Sequence, residues 1–488
     1  MKKTIYIIGS GFSSLSAACY LAKAGNDVIV LEKNNTVGGR ARQYKNQGFT
    51  FDIGPTWYWM PDVFERFFGE FGKKPSDFYE LEKLNPGYQV YFSELESILI
   101  SGNLYEIYEV FEKEEPGSSI HLKEFLSAAK YNYDVAINDL VYKPGVSPLE
   151  LITPVTIKKV HQFFTTIRKQ VRKKIKNKKL LQILEFPVLF LGAKPSNTPA
   201  FYNFMNHADF GLGTWHPKGG MYMVVEAMKS LAVSLGVQFE TATTVQEICV
   251  DATGTTIGVI ANGNYRASDI VVSGADYHHS ETLLPTKYRQ YSEKYWNKKI
   301  FAPSSLLFYV GFDKKLENVS HHTLFFDTDF DVHAQAIYDT PKWPEKPLFY
   351  ASFPSITDNS FAPKGKEAAT FLIPLAPGLE DTEELREKYF NIIIERLEKL
   401  TNQEVKSSVI FKKSYCVNDF IKDYNSYKGN AYGLANILTQ TAFLRPNIKS
   451  KKVKNLFFTG QLTVPGPGVP PSLISGKIVS DLIIKSYK

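Results

Sequence analysis

A β-branched, apolar run, Thr4-Ile5-Tyr6-Ile7-Ile8, ends at Gly9-Ser10-Gly11. Apolar residues at helical spacing follow over 13–23, and a second apolar run over 27–31 ends on Glu32. Strand, glycine turn, helix, strand and acid in this order form a dinucleotide-binding fingerprint, which demands a parallel sheet flanked by helices. Each piece has a task. Gly9 permits the tight turn, Gly11 lets backbone approach a pyrophosphate whose charge rests on the helix N-terminus, and Glu32 accepts hydrogen bonds from ribose hydroxyls. Ser14 stands where the pattern asks for Gly or Ala, so helix–strand packing there must accommodate an extra hydroxyl. An acid at 32 disfavours a 2′-phosphate.

A chain of 488 residues, 44% of them hydrophobic, carries more apolar material than one core uses, so two domains are expected. Gly219-Gly220 leads into a helical pattern through Leu235, and short strands then end at Ile270-Val271-Val272. Near the C-terminus Leu456-Phe457-Phe458 reads as a strand, followed by a Gly/Pro-rich loop and a helix. The fold class is therefore α/β, with a Rossmann-type cofactor domain built from three segments, 1–100, 215–280 and 446–488. It interleaves with an α+β substrate domain built from 101–214 and 281–445.

Aromatic residues make up 14% of the chain, which suits a site that buries a large apolar ligand. Cys19, Cys249 and Cys416 are too widely spaced for a metal motif or a disulfide framework, so no metal is expected and a reducing cytoplasm fits best. The net charge of +7 is too mild to imply nucleic acid but permits attraction to anionic lipid. Lys2-Lys3 before an apolar run, with Leu15-Ser16-Ala17-Ala18-Cys19 beyond it, has the outline of a lipoprotein signal, yet Gly9 and Gly11 interrupt it at nucleotide-turn spacing, so no signal peptide is expected. The most apolar stretch, 180–193, is too short to span a membrane and contains Gln182, Glu185 and Pro187.

After Glu32 comes Gly38-Gly39-Arg40, where small residues again bring backbone close to a ligand and a guanidinium can meet phosphate. This E-x5-G-G-R run resembles the FAD-binding N-terminus shared by amine oxidases, protoporphyrinogen oxidases and carotenoid desaturases, which implies FAD rather than NAD. Gly460-Gln461 falls where these flavoproteins pass near the ribityl chain, although many of them carry an acid at the second position. Further islands resemble phytoene desaturases. Phe51-Asp52-Ile53-Gly54-Pro55-Thr56-Trp57 is similar to their F-D-x-G-P-[ST] stretch, Trp215-His216-Pro217-Lys218-Gly219-Gly220 to W-x-P-[KR]-G-G, and His321-His322-Thr323 to H-H-T. Ser355-Ile356-Thr357-Asp358 with Ala362-Pro363-Lys364-Gly365 resembles their D-x-S-x-A-P-x-G region. Pro465-Gly466-Pro467-Gly468-Val469-Pro470 resembles the P-G-x-G-[IV]-P loop beside the flavin ring.

The resemblance implies FAD-dependent removal of hydrogen from a C40 carotene, with Gly54, Pro55, Gly468 and Val469 near the cofactor. Phytoene-to-lycopene desaturation leads, because Trp57-Tyr58-Trp59-Met60-Pro61 and Pro467 look most like phytoene desaturases. Hydroxycarotenoid 3,4-desaturation shares every motif. Amine or protoporphyrinogen oxidation and a non-enzymatic prenyl-binding escort role are the more distant alternatives. Aligned on Lys218-Gly219-Gly220, Glu150 falls near an acid proposed to assist catalysis in relatives, and an exposed structural acid is the other reading of it. His216, His321 and His322 are either scaffold or acid–base groups. Residues 167–180 carry eight cations and no acid, with Ile167, Val171 and Ile175 four apart. They read as a basic amphipathic helix within a membrane-docking region, 158–193, on the inner face of an anionic membrane, or else as a solvated face. Oligomeric state is not legible.

Overall fold

The computed structural model describes residues 2–94, 96–138 and 140–487. Thr4–Ile8 forms the middle of a five-stranded parallel sheet ordered Leu456–Phe458, Ile270–Ser273, Thr4–Ile8, Asp27–Leu31, Gln238–Glu240. Sequentially distant pieces thus become neighbours, with Ile5 opposite Ile270 and Val271 opposite Leu456. The first helix, Phe12–Lys23, is buried over 12–22 because it lies between the sheet and two other helices, Tyr222–Ser234 and Val469–Ser486. Its serines permit close approach. Ser16 Oγ donates to the Leu473 carbonyl at 2.7 Å, and a Cβ on Gly476 would lie 2.4 Å from the Ser13 carbonyl oxygen.

A second, seven-stranded sheet runs Val409–Tyr415, Ser304–Phe312, Glu367–Leu375, Phe349–Ser352, His322–Phe325, Tyr88–Ser93, Glu96–Ile100. All nine residues of Ser304–Phe312 are buried. Leu306, Phe308 and Val310 pack against the Glu383–Thr401 helix, while Leu307 and Tyr309 meet Phe49 and Phe51. The first cofactor segment, drawn to residue 100 from the sequence, extends too far. Tyr88–Ser93 pairs in parallel with His322–Phe325 and carries Glu96–Ile100 with it, because the backbone groups of that hairpin are satisfied by the second sheet.

The basic stretch also departs from expectation. It is two short helices, Ile167–Val171 and Lys178–Glu185, broken at Asn177, whose extended backbone and side chain cap the second by accepting from the Lys179 and Leu180 amides. Ile167, Val171 and Ile175 are buried as their spacing requires, and so are Leu180, Leu184 and Val188. The apolar run over 180–193 is therefore core rather than a lipid-facing surface. Several cations are also spoken for: Arg168 and Arg172 converge on Glu185 at 3.1 and 3.0 Å, and Lys179 pairs with Glu114 at 2.7 Å.

Candidate active site

One cavity runs from the fingerprint to the second sheet. At its nucleotide end Gly9 has φ +85°, and Gly38 and Gly39 are also left-handed, at +114° and +54°. A Cβ on Gly39 would stand 3.1 Å from the Gly11 Cα, so two glycine turns are stacked against one another, whereas a Cβ on Gly11 would meet nothing within 4 Å. The first helix begins at Gly11 with no side-chain cap, leaving its first amides turned to the cavity. Glu32, 4% exposed, accepts from the Ser10 amide and hydroxyl at 3.0 and 2.6 Å through Oε2 and from Asn34 through Oε1. The carboxylate is thereby held at the end of its strand, on the cavity wall.

Arg40 is half-buried beside these turns. Its Nη2 donates to Ser426 Oγ and the Asn430 carbonyl, its guanidinium lies over the Tyr424 ring, its Nε has no partner, and none of its hydrogen bonds goes to a carboxylate. Burial lowers its pKa, with the charge of Asp276 opposing. A half-buried guanidinium that hydrogen-bonds no carboxylate and lines the same cavity as a helix N-terminus fits a pyrophosphate. Gly54 must be glycine, because a Cβ there would lie 2.3 Å from the Arg40 carbonyl oxygen.

Gly460, with φ +105°, Gln461, Gly468 and Val469 line the same cavity. The Gly460 amide donates to Ser475 Oγ, and Gln461 Nε2 donates to Asn430 Oδ1. Gly468 begins the C-terminal helix without a side-chain cap, so a second helix N-terminus opens on the site. Beyond it the wall turns aromatic, with Trp57, Phe163, Phe186, Phe190 and Tyr350.

The cavity thus gathers the expected residues with one exception. Ser14 is outside the wall: it is fully buried, its Oγ has no partner, and a Cβ on Gly274 would lie 2.0 Å from it. The glycine it displaces from the fingerprint reappears across the helix–strand contact. Glu150 does line the cavity, but its carboxylate accepts the Gly145 and Val146 amides at 2.8 and 3.1 Å and so closes its own loop. His216, His321 and His322 lie behind the wall. Sequence reading missed Asp276 and Tyr350. Asp276 follows a strand and caps Tyr277–Thr282, which only its position after Gly274 hints at; nothing local marks Tyr350. Among the described residues no group of His, Cys, Asp or Glu is placed to hold a metal ion.

A cavity whose glycine turns fit a phosphate at one end and whose wall is apolar at the other has the form that a flavin-dependent oxidoreductase requires. Residues 12–484 match the flavin containing amine oxidoreductase family. The chain is similar to a carotenoid 3,4-desaturase of Haloarcula japonica, 41% identical over 489 residues, with 99% of this chain and 98% of the relative covered. It is also similar to a zeta-carotene-forming phytoene desaturase of Myxococcus xanthus, 30% identical over 493 residues, covering 99% and 94%. An oxidoreductase of Methanosarcina mazei shares the fold at a TM-score of 0.64 and 17% identity, over 98% of this chain and 100% of that one. The chain belongs to the flavin containing amine oxidoreductase family and, within it, to the carotenoid desaturases, with FAD as cofactor.

Proposed function

We propose that this enzyme desaturates a C40 carotenoid. The observation that carries the reading is the continuity of the cavity: the turns that fit FAD and the aromatic wall that fits a hydrocarbon enclose one space. FAD, when bound, supplies the hydride acceptor. The chain's own part is to hold the ribose at Glu32 and the phosphates at Gly11, Gly39 and Arg40, to lay an apolar rod along Trp57 and Phe190, and to exclude water. Two substrates fit this chemistry. The Trp57 to Pro61 run favours phytoene, taken on to lycopene, and the 41% identity with the Haloarcula enzyme favours 3,4-desaturation of a later carotenoid. Supplying each in liposomes to the purified flavoprotein and recording product spectra separates them; an unchanged spectrum with both refutes the reading.

Supply of such a substrate calls for a membrane surface, and a group of exposed apolar residues supports one part of the chain as the part that meets it. Val146, Leu149, Ile152, Ile157, Val160 and Phe164 are 52–76% exposed. They flank Gly145, Ser147, Glu150 and Phe163, which line the cavity. This crown, aided by exposed Lys173, Lys174 and Lys178, docks the mouth of the cavity on an anionic leaflet, on the cytoplasmic side. No helix among the described residues is long and apolar enough to cross a membrane.

A further inference from the structure

Three of the nine histidines stand in file behind the cavity wall, and nothing above uses them. The file starts at Tyr350, which lines the cavity and whose hydroxyl is 2.8 Å from Thr56 Oγ1, another cavity residue, and 2.6 Å from His322 Nδ1. His322 is fully buried, stacks on Trp57 with centroids 4.1 Å apart and planes at 10°, and has no partner on Nε2. Its ring centroid lies 4.5 Å from that of His321, which lies 4.6 Å from that of His216. His321 Nδ1 meets Thr357 Oγ1 at 3.0 Å, and His216 Nε2 meets Asp358 Oδ2 at 3.3 Å. The Asp358 side chain is 10% exposed, so the file leads from the cavity to the protein surface.

A wall that had only to cradle hydrocarbon would gain by replacing these groups, since a buried polar atom left without a partner costs about 1–3 kcal/mol. Among the described residues the only hydroxyl–imidazole pair at the aromatic wall instead sits where Thr56 continues the Gly54-Pro55 turn.

We propose that Tyr350, backed by His322, takes up the proton that the substrate loses. The inference rests on the desaturase reading. Desaturation breaks two C–H bonds on adjacent carbons. With FAD bound as the two-electron acceptor, the first would break with its electron pair leaving as hydride to that acceptor, and the carbon left behind would be oxidised to an allylic cation. The second breaks with its pair forming the new C=C bond, and its proton passes to the Tyr350 oxygen while the Tyr350 proton passes to His322 Nδ1. One hydride and one proton have then left the substrate, Tyr350 is neutral again, and His322 is an imidazolium on the face of Trp57, where cation–π attraction stabilises it. Burial, and secondarily the charge on His216, hold the His322 pKa well below the ordinary value, so the ring is neutral beforehand and free to accept. A proton beside a carbocation is acidic enough for so weak a base. His321, His216 and Asp358 then lie between it and solvent.

Tyr350→Phe keeps the ring and removes only the hydroxyl. In the full-length flavoprotein on carotenoid-loaded liposomes we expect unchanged flavin content, a melting temperature lowered by no more than a few degrees as His322 Nδ1 loses its partner, and turnover lowered about 10²-fold or more, the usual scale for losing general-base help. Deuterium on the proton-losing carbon should slow the variant while leaving the wild type nearly unaffected. His322→Gln should show the same pattern, and the double variant should be no slower than either single one, as for groups acting as a unit. A readout free of turnover is the ¹⁵N spectrum of histidine-labelled protein: Tyr350→Phe should move the His322 nitrogens and leave those of His333, which bonds the Pro374 carbonyl and the Leu348 amide, in place. A Tyr350→Phe enzyme as fast as an active wild type overturns the proposal and leaves desaturation standing. So does a slow one without the isotope effect, which assigns Tyr350 to packing. A wild type inert toward every carotenoid, with His322 signals indifferent to the substitution, removes both.

Discussion

At its nucleotide end the cavity is made mostly by one contiguous stretch, 9–54, in which glycines set the backbone and a few charges meet the ligand. At its mouth it is made by residues from 136–205, 303–374 and 431–443, none in a motif that names its task, while Gly460, Gln461, Gly468 and Val469 belong to the motifs read as facing the cofactor. The first end is rigid and specified by φ angles and close approach; the second is apolar, partly exposed and specified by what it keeps dry. Recognition of a charged cofactor requires donors at fixed points, whereas a hydrocarbon offers no polar atom to read and is held by shape.

If this contrast holds, Gly11→Val has the largest effect. Its backbone, φ −71°, accepts a side chain and its Cβ meets no protein atom, so the apoprotein should melt as the wild type does while purified protein contains no flavin. Flavin at wild-type stoichiometry would break the assignment of that end. Glu32→Ala should follow, weakening FAD retention by about 1.5–3 kcal/mol, or roughly ten- to a hundredfold after dialysis, as a charge-assisted acceptor is lost.

At the mouth, Leu149→Ser, Ile157→Ser and Phe164→Ser together should cut liposome sedimentation by roughly tenfold or more, because each buried apolar side chain is worth about 1.5–3 kcal/mol in full and part of that here. Flavin content should not change. Reversing Lys173, Lys174 and Lys178 to Glu should weaken binding by about 1 kcal/mol per cation at low salt, and that loss alone should be abolished by salt. Losses from both sets that respond alike to salt, or flavin loss from either, would erase the distinction between the ends.

The smallest functional effect is expected at Asp209, behind the wall residue Trp57. It is buried, its hydroxyl partner is Tyr88, which meets Trp57 at 5.6 Å, and burial raises its pKa to about 8 against the bond from Tyr88. A carboxyl protonated in the fold but not when unfolded stabilises fully below its unfolded pKa of about 3.9, and that stability is lost as pH rises to about 8. Asp209→Asn should therefore leave flavin and turnover unchanged, melt near the wild type at pH 4, and gain on it steadily up to pH 8. A constant difference across that range would show that Asp209 does not titrate as its burial requires.

Sequence reading reached the nucleotide end almost residue by residue and the mouth scarcely at all. Gly9, Gly11, Glu32, Gly38, Gly39, Arg40 and Gly54 are legible because a tight turn or a close approach admits one residue type, and the cost of any other is local. That Ser14 adds a hydroxyl to the helix–strand packing was legible, but the Gly274 that makes room for it lies far along the chain. The run 167–180 read as one helix because charge and spacing are averages over a window, while the break over 172–177 ends at a single side chain, Asn177, which accepts from the first amides of the next helix. Likewise 180–193 was apolar enough for lipid, and only packing shows it to be interior.

What the sequence determined by itself is the parallel sheet, the dinucleotide turn and the flavin they hold, since these follow from short-range backbone geometry and helix dipoles. Only the tertiary structure decided that Tyr88–Ser93 joins the second sheet, that the apolar crown over 146–164 surrounds the mouth, and that Thr56, Tyr350 and His322 meet. Contacts between positions almost three hundred residues apart leave no period or spacing in the chain; they exist because two sheets fold against one cavity, and burial then makes each polar atom there find a partner or stand ready for one.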